Sequence, residues 1–254
     1  MDIIRTLDEW WKLRSKLSKA ALGFVPTLGG LHKGHEMLLR RSVEENDGTV
    51  LSIFLNRTQF NDLQDWKTYP SVEEVDLAVA ETCGVDLVFL PSYEDIYPDN
   101  YMFRVVSEHP LSKVMEGAFR PGHFEGVLTV VLKLLLIVKA TRAYFGEKDY
   151  QQLVLVREMA KAFFLETEIV ACSTVRDGRG LPLSSRHKRL TQEELRIGQE
   201  FAEVLHTHQF VPDVEKDLLK KAIAFDYVEE RDGRLFAAAR IGGVRLIDNV
   251  PLNR

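Results

Sequence analysis

His32 and His35, separated by Lys33 and Gly34, have the clearest chemical reach of any residues in this sequence. They lie in Pro26-Thr27-Leu28-Gly29-Gly30-Leu31-His32-Lys33-Gly34-His35. Before this stretch, Ala20 to Val25 is an apolar run fit for a buried parallel strand; after it, Met37, Leu38 and Leu39 open a helical pattern. Paired glycines allow backbone angles and a close ligand approach that a side chain would block. A helix starting near Gly34 aims unpaired N–H groups and a partial positive charge at an anion, with both imidazoles beside it. The pattern points to a nucleotide phosphate site, for which a triphosphate breaking at its α-phosphate is a natural occupant. On spacing alone, a tight turn with one surface and one packed histidine fits equally well.

Other polar clusters recur at strand ends. Ser52-Ile53-Phe54-Leu55-Asn56-Arg57-Thr58-Gln59-Phe60 closes a strand in amides, and Asn56 and Gln59 can each donate and accept, which suits a substrate bearing a carboxylate and hydroxyls. Gly146-Glu147-Lys148-Asp149 precedes a helix; Lys148 offers a point charge to phosphates, while Asp149 holds ribose hydroxyls, orients the lysine or simply caps the helix. Leu183-Ser184-Ser185-Arg186-His187 is a phosphate clamp or a plain polar loop. The turn Ala118 to Phe124 is either structural or ligand-facing. Asp76, near Glu73 and Glu74, is a candidate for Mg²⁺, which usually takes one or two carboxylates plus phosphate oxygens.

Elements able to position these groups follow from the apolar pattern. Strand-like runs at Ala20 to Val25, Val50 to Leu55, Val85 to Leu90, Ala143 to Phe145 and Glu168 to Ala171 alternate with helical patterns at Gly34 to Glu45, Val72 to Thr82, Glu125 to Lys139 and Tyr150 to Phe163. That alternation predicts an α/β fold with a Rossmann-like parallel sheet over residues 1–175, its binding loops at the carboxyl ends of the strands. From 176 to 254 the pattern changes to a smaller C-terminal α+β domain, a lid. Thr191-Gln192-Glu193-Glu194 is a capping box for a helix through Leu205, and Asp232-Gly233 turns a hairpin between Tyr227–Glu230 and Leu235–Arg240, with a further strand at Val244 to Ile247. Pro212-Asp213 is a weak linker candidate.

With 254 residues, 45% of them hydrophobic and 28% charged, the chain can bury a large core. A net charge of −5 disfavours extended nucleic-acid binding, so the partners are expected to be small molecules. Cys83 and Cys172 lack metal-ligand spacing and fit reduced, buried residues. No signal-peptide core or membrane-length apolar run is visible, and the expected setting is the cytoplasm.

Taken together, Val25 to His35, Ser52 to Phe60, Tyr69-Pro70, Ile96-Tyr97-Pro98, Arg120 to Phe124, Gly146 to Leu153, Asp177-Gly178, Ser184 to Arg186 and Arg245-Leu246-Ile247-Asp248-Asn249 form an ordered set that resembles the pantothenate synthetases, a family of pantoate–β-alanine ligases with the HxGH nucleotidylyltransferase signature. The resemblance implies a reaction in which ATP and pantoate give pantoyl adenylate and pyrophosphate, after which β-alanine gives pantothenate and AMP. It further implies His32, His35 and Lys148 as catalytic residues. Leu28, Gly29, Gly30, Leu31, His32, Lys33, Gly34, His35, Gly146, Glu147, Lys148, Asp149, Val175, Leu183, Ser184, Ser185 and Arg186 are implied at ATP, with Gln59 and Gln152 at pantoate and Gln59 also at β-alanine. Asp76 is implied at Mg²⁺, and the assembly is implied to be a homodimer.

The chain departs from the family pattern at Leu28, Arg57, Ser71 and Leu183 to His187, where Met, Pro, Arg and Met-Ser-Ser-Arg-Asn are usual. The C-terminal domain also looks shortened between Phe201 and Asp226. Arg57 adds charge and backbone freedom beside the pantoate position. Arg57 and the small-domain change keep open a nucleotide-binding homologue with impaired catalysis. A separate rival is another HxGH adenylyltransferase acting on a phosphorylated or nucleotide substrate, against which Gln59 and Gln152 without a second basic patch count.

Overall fold

The structure, a computed structural model, describes residues 1–17 and 21–252, so Ala20, the expected first strand residue, lies outside the described residues. The chain divides into two compact units, Met1–Gly146 with Gln151–Cys172, and Glu147–Tyr150 with Ser173–Arg254. The second unit therefore takes Glu147–Tyr150 out of the middle of the first, a grouping that a boundary at 175/176 does not contain.

In the first unit β1 (Asp2–Ile4), β2 (Leu22–Thr27), β3 (Gly48–Ile53), β4 (Leu87–Phe89), β5 (Arg142–Gly146) and β6 (Glu168–Cys172) form one parallel sheet in the order β1-β4-β3-β2-β5-β6. Phe24, Val25, Val50, Leu51, Val88 and Ala143 are fully buried, as expected where helices cover both faces of a parallel sheet. The chain runs outward from β2 through β3 to β4, then returns to start β5 on the other side of β2. Between β2 and β5 the winding reverses, and loops leaving such a switch point diverge to make room for a ligand. β1 escapes the apolar pattern because its three residues are mostly exposed; its pairing with β4 is what makes it a strand.

The helices are α1 (Leu7–Arg14), α2 (Lys33–Glu45), α3 (Leu63–Lys67), α4 (Glu73–Thr82), α5 (Tyr93–Ile96), α6 (Glu116–Phe119), α7 (His123–Val138) and α8 (Tyr150–Ala162). α7 begins two residues before the expected Glu125, because Gly122 at φ +79° supplies a left-handed entry. It is buried around most of its circumference, and Val127, Leu128, Val131, Leu134, Leu135 and Val138 each contribute about 1.5–3 kcal/mol by leaving water. Among the described residues no single helix is long and apolar enough to cross a membrane. Cys83 and Cys172 are buried and unbridged.

The second unit carries α9 (Gln192–Thr207), α10 (Val211–Lys220) and an antiparallel sheet of β7 (Ala224–Arg231), β8 (Arg234–Ile241) and β9 (Val244–Pro251). The capping box forms as predicted, Thr191 Oγ1 accepting from the Glu194 N–H at 3.2 Å and Glu194 Oε2 from the Thr191 N–H at 2.7 Å. Asp232 and Gly233 both take positive φ, the hairpin geometry that their types favour. Pro212 is not in a linker: it lies in the first turn of α10, where its missing N–H leaves no bond unmade. Phe201, Leu205, Leu218 and Leu235 form the centre of this unit's core.

Candidate active site

The turn after β2 brings the two histidines into one cap at the start of α2. His32 is the N-cap in an extended conformation, and its Nδ1 accepts the Gly34 N–H at 3.1 Å. His35, one turn into the helix, returns the bond: its Nδ1 accepts the His32 N–H at 3.3 Å. Each Nδ1 is therefore an acceptor, which makes Nε2 the N–H nitrogen of each neutral ring. The rings sit 4.1 Å apart, centre to centre. Gly34 leaves room for the His32 ring, since a Cβ there would lie 2.8 Å from His32 Cε1 and push the ring aside. The result is a pair of imidazole donors and a helix N-terminus on one short segment, a combination suited to an anion.

Asp76 does not fit the metal role expected of it. It is 1% exposed, its Oδ1 accepts the Leu31 N–H at 2.7 Å, and its Oδ2 accepts the Gly30 N–H at 2.8 Å and the Ser71 hydroxyl at 3.1 Å. A carboxylate so buried and so committed to donors is poorly placed to coordinate an ion. No group of three or more His, Cys, Asp or Glu is gathered for a metal among the described residues. Asp76 instead ties down the glycine turn. Gly29, at φ +82°, fits because a Cβ would come 2.0 Å from Ser71 Oγ. Glu73 is half-exposed and pairs with Arg5.

After β3 the chain makes a tight 3₁₀ turn over Arg57–Gln59, held from inside by Asn56. Asn56 is fully buried and satisfied on both sides, so it orients Gln59 and is not itself turned to a substrate. Its Oδ1 accepts from Tyr97 and Thr58 hydroxyls at 2.9 Å each, and its Nδ2 donates to Gln59 Oε1 at 2.9 Å and to Gly126 O at 3.3 Å. Burial pushes the Tyr97 hydroxyl far above its ordinary pKa, so it stays a donor. Because Gln59 Oε1 is taken, the amide is fixed with its –NH₂ as the remaining donor group. His123 Nδ1–H donates to Gln59 O at 2.9 Å, and its Nε2 accepts from Arg120 Nη1 at 3.0 Å. Arg120 also reaches Glu116, which is 5% exposed. The Arg120–His123 turn is thus the buttress of the Gln59 turn. Gly126 belongs to it too: a Cβ there would lie 2.6 Å from Thr58 O and 2.7 Å from Gln59 N. The guanidinium of Arg57, the first residue of the turn, lies over the Trp66 ring at 5.4 Å.

Gln151 and Gln152 have separate environments. Gln151 is buried and holds the Leu111–Glu116 segment, accepting from the Glu116 N–H and donating to Leu111 O and Val114 O. Gln152 is half-buried at the start of α8 and takes no part in that clamp.

In the second unit, Lys148 lies in a 3₁₀ turn with its Nζ 3.7 Å from Asp149 Oδ1. Val175 and Leu183, far apart along the loop, become neighbours when the Leu183 N–H bonds Val175 O at 2.9 Å and the Asp177 N–H bonds Leu181 O at 2.9 Å, with Gly180 at φ +88° at the tip. Ser184 Oγ accepts the Arg186 N–H at 3.3 Å, capping the 3₁₀ turn that contains Ser185 and Arg186. His187 is held neutral, its pKa pushed down to about 4 by burial and by the nearby Lys148 charge against a weaker pull from Asp177. Burial alone would raise Asp177, but the Gln199 amide and the Arg179 and Leu181 N–H groups hold it below the usual carboxylate range. Residues that sequence reasoning left without a role are Arg120, Gly126, Arg176, Asp248 and Asn249. Apart from Gly126, their polar types within or beside matched motifs were the available signal.

A model of the family described as pantoate-beta-alanine ligase matches residues 2–251. Pantothenate synthetase of Coxiella burnetii (strain RSA 493 / Nine Mile phase I) is 49% identical over 249 residues, covering 98% of this chain and 96% of the relative. That of Legionella pneumophila (strain Corby) is 48% identical over 250 residues, covering 98% and 99%. The crystal structure of pantoate-beta-alanine ligase from Francisella tularensis, complexed with beta-gamma ATP and beta-alanine, superposes with a TM-score of 0.95 at 40% identity, covering 99% of this chain and 97% of that one. Pantothenate synthetase from Thermus thermophilus gives 0.92 at 37% identity, with 99% of each chain covered.

Proposed function

From the premise that the chain belongs to the pantoate-beta-alanine ligase family, we propose that it condenses pantoate with β-alanine, consuming ATP, through pantoyl adenylate. The observation that carries this reading is the reciprocal capping of His32 and His35, which commits both Nδ1 atoms to backbone N–H groups and so makes Nε2 the donor nitrogen of each ring.

In the first step a pantoate carboxylate oxygen attacks the α-phosphorus, the new C–O–P linkage forms and the bond to pyrophosphate breaks. The His32 and His35 N–H groups and the α2 N-terminus stabilise charge that grows on the phosphate oxygens, an effect strongest in preorganised sites. Lys148 carries out the same task on the departing pyrophosphate. The Gln59 –NH₂, its amide oriented by Asn56, donates to the pantoate carboxylate, with Gln152 as the second amide at pantoate. In the second step the β-alanine amine attacks the acyl carbon, AMP leaves with the bonding pair, and the amine proton passes to solvent. No enzyme nucleophile is needed. Mg²⁺ enters as part of the substrate MgATP, held by phosphate oxygens. The reading also includes a homodimeric assembly and a cytoplasmic setting.

Purified protein given MgATP and pantoate should release pyrophosphate, and AMP and pantothenate should appear only when β-alanine is added. His35→Ala should abolish the first step. Demonstrable ATP binding without pantoate-dependent pyrophosphate release would refute the assignment in favour of another substrate or a protein that has lost turnover.

A further inference from the structure

Asp248 and Asn249, at the end of the ordered motif set, are each 2% exposed on β9 and have no part in the steps above. Burying an acid and an amide side by side is costly unless both are fully bonded, and here they are. Asp248 accepts a two-pronged bond from Arg176, Nη1 to Oδ2 at 2.7 Å and Nη2 to Oδ1 at 2.8 Å, and its Oδ1 also accepts the Asn249 N–H at 2.6 Å. Arg176 reaches further, to Gly180 O at 2.8 Å and Asn249 O at 3.1 Å. The Asn249 side chain then turns to the Lys148 segment. Its Nδ2 donates to both Glu147 O and Lys148 O at 2.9 Å, while its Oδ1 accepts from Arg234 Nε at 2.8 Å. The Arg234 guanidinium lies over the Tyr150 ring at 4.4 Å, gripping the far end of the same turn.

This network exceeds what the sheet needs. β9 is already paired to β8 from Val244 to Pro251, and an apolar pair of similar volume would serve a purely structural position as well or better. What the polar pair achieves is a link between two segments: the Lys148 turn, through Asn249, and the loop joining Val175 to Leu183, through Arg176. We infer that Arg176, Asp248 and Asn249 form a positioning core that sets Lys148 for the adenylation step, with Asn249 as the direct contact. They are positioning residues and touch no substrate. The inference rests on the role given to Lys148 above.

The test is the rate of pyrophosphate release in a single turnover by the full-length protein, for Asn249→Asp, Lys148→Ala and the double variant. Asn249→Asp keeps size and the acceptor for Arg234 but loses both donors to the turn. Two lost bonds of about 1 kcal/mol each predict a fall on the order of 10- to 100-fold in rate. The pantoate KM should stay unchanged, and the double variant should be no slower than Lys148→Ala. Asp248→Asn, which loosens Arg176 while keeping shape, should show the same pattern more weakly and serves if Asn249→Asp does not fold. Losses that multiply in the double variant, or a fall in pantoate affinity matching the fall in rate, would mark a general structural role and overturn the inference. If Lys148→Ala itself releases pyrophosphate normally, the role of Lys148 fails and the inference falls with it. If Lys148→Ala is inactive while Asn249→Asp is normal, only the positioning role is lost.

Discussion

Asp76→Asn separates a carboxylate that holds a turn from one that holds a metal. The substitution is isosteric, so packing is preserved, but one carboxylate oxygen becomes an –NH₂. Whichever way the amide turns, a donor then faces the buried N–H of Gly30 or of Leu31, now 2.8 Å and 2.7 Å from the carboxylate. A hydrogen bond to a charged group contributes about 1.5–3 kcal/mol, and the orphaned N–H adds desolvation that no water relieves at a residue 1% exposed. Flipping the amide lets Ser71 accept instead of donate, which recovers part of this loss. A net destabilisation of about 2–3 kcal/mol should follow, a fall of roughly 4–12 °C in melting temperature for a chain of this size. Because Gly29, Gly30 and Leu31 lead into the histidine cap, the KM for ATP should rise with it. Thermal melts and initial rates over a Mg²⁺ titration decide the matter. An unchanged melting temperature with a displaced Mg²⁺ dependence would refute the reasoning and return Asp76 to the metal.

Three further outcomes follow from close contacts and charge. Gly126→Ala should raise the pantoate KM by about tenfold or more and cost about 1–3 kcal/mol, because the new Cβ meets backbone atoms of Thr58 and Gln59 that cannot yield without moving the turn; pantoate saturation curves and urea melts measure both. Gly34→Ala should slow pyrophosphate release on the order of 10²-fold with little change in melting temperature, since it displaces the His32 ring by its Cε1 edge and leaves the core alone. His187 has a folded pKa of about 4, below its ordinary 6.5, so between those values the unfolded chain binds a proton that the folded chain does not. Its contribution is complete above pH 6.5 and is lost as pH falls toward 4, on the order of 1–2 kcal/mol for a half-buried ring partly screened by solvent. His187→Asn, the family's usual residue, should flatten urea stability between pH 6.5 and 4.5; an unchanged slope would count against the burial argument.

What was legible in the sequence was local in origin. Runs such as Val50–Leu55 read as strands because a strand covered on both faces needs continuous apolar residues, and Thr191 with Glu194 signals a helix start within four residues. The histidine cap is local too, since Nδ1 of each ring finds its donor no more than three residues away, yet spacing left a plain turn equally open and the reciprocal bonding emerged only in the structure. The α7 start moved only because Gly122 could adopt a left-handed angle that sequence permits but does not require. Tertiary structure decided the rest. Asp76 meets Gly30 and Leu31 across 46 and 45 residues, His123 meets Gln59 across 64, and Asn249 meets Lys148 across 101. A carboxylate or an amide has the same formula whether it faces a metal, a substrate or two backbone N–H groups. Only the fold determines which of those partners arrives, because the partner is set by long-range packing and not by neighbours in the chain.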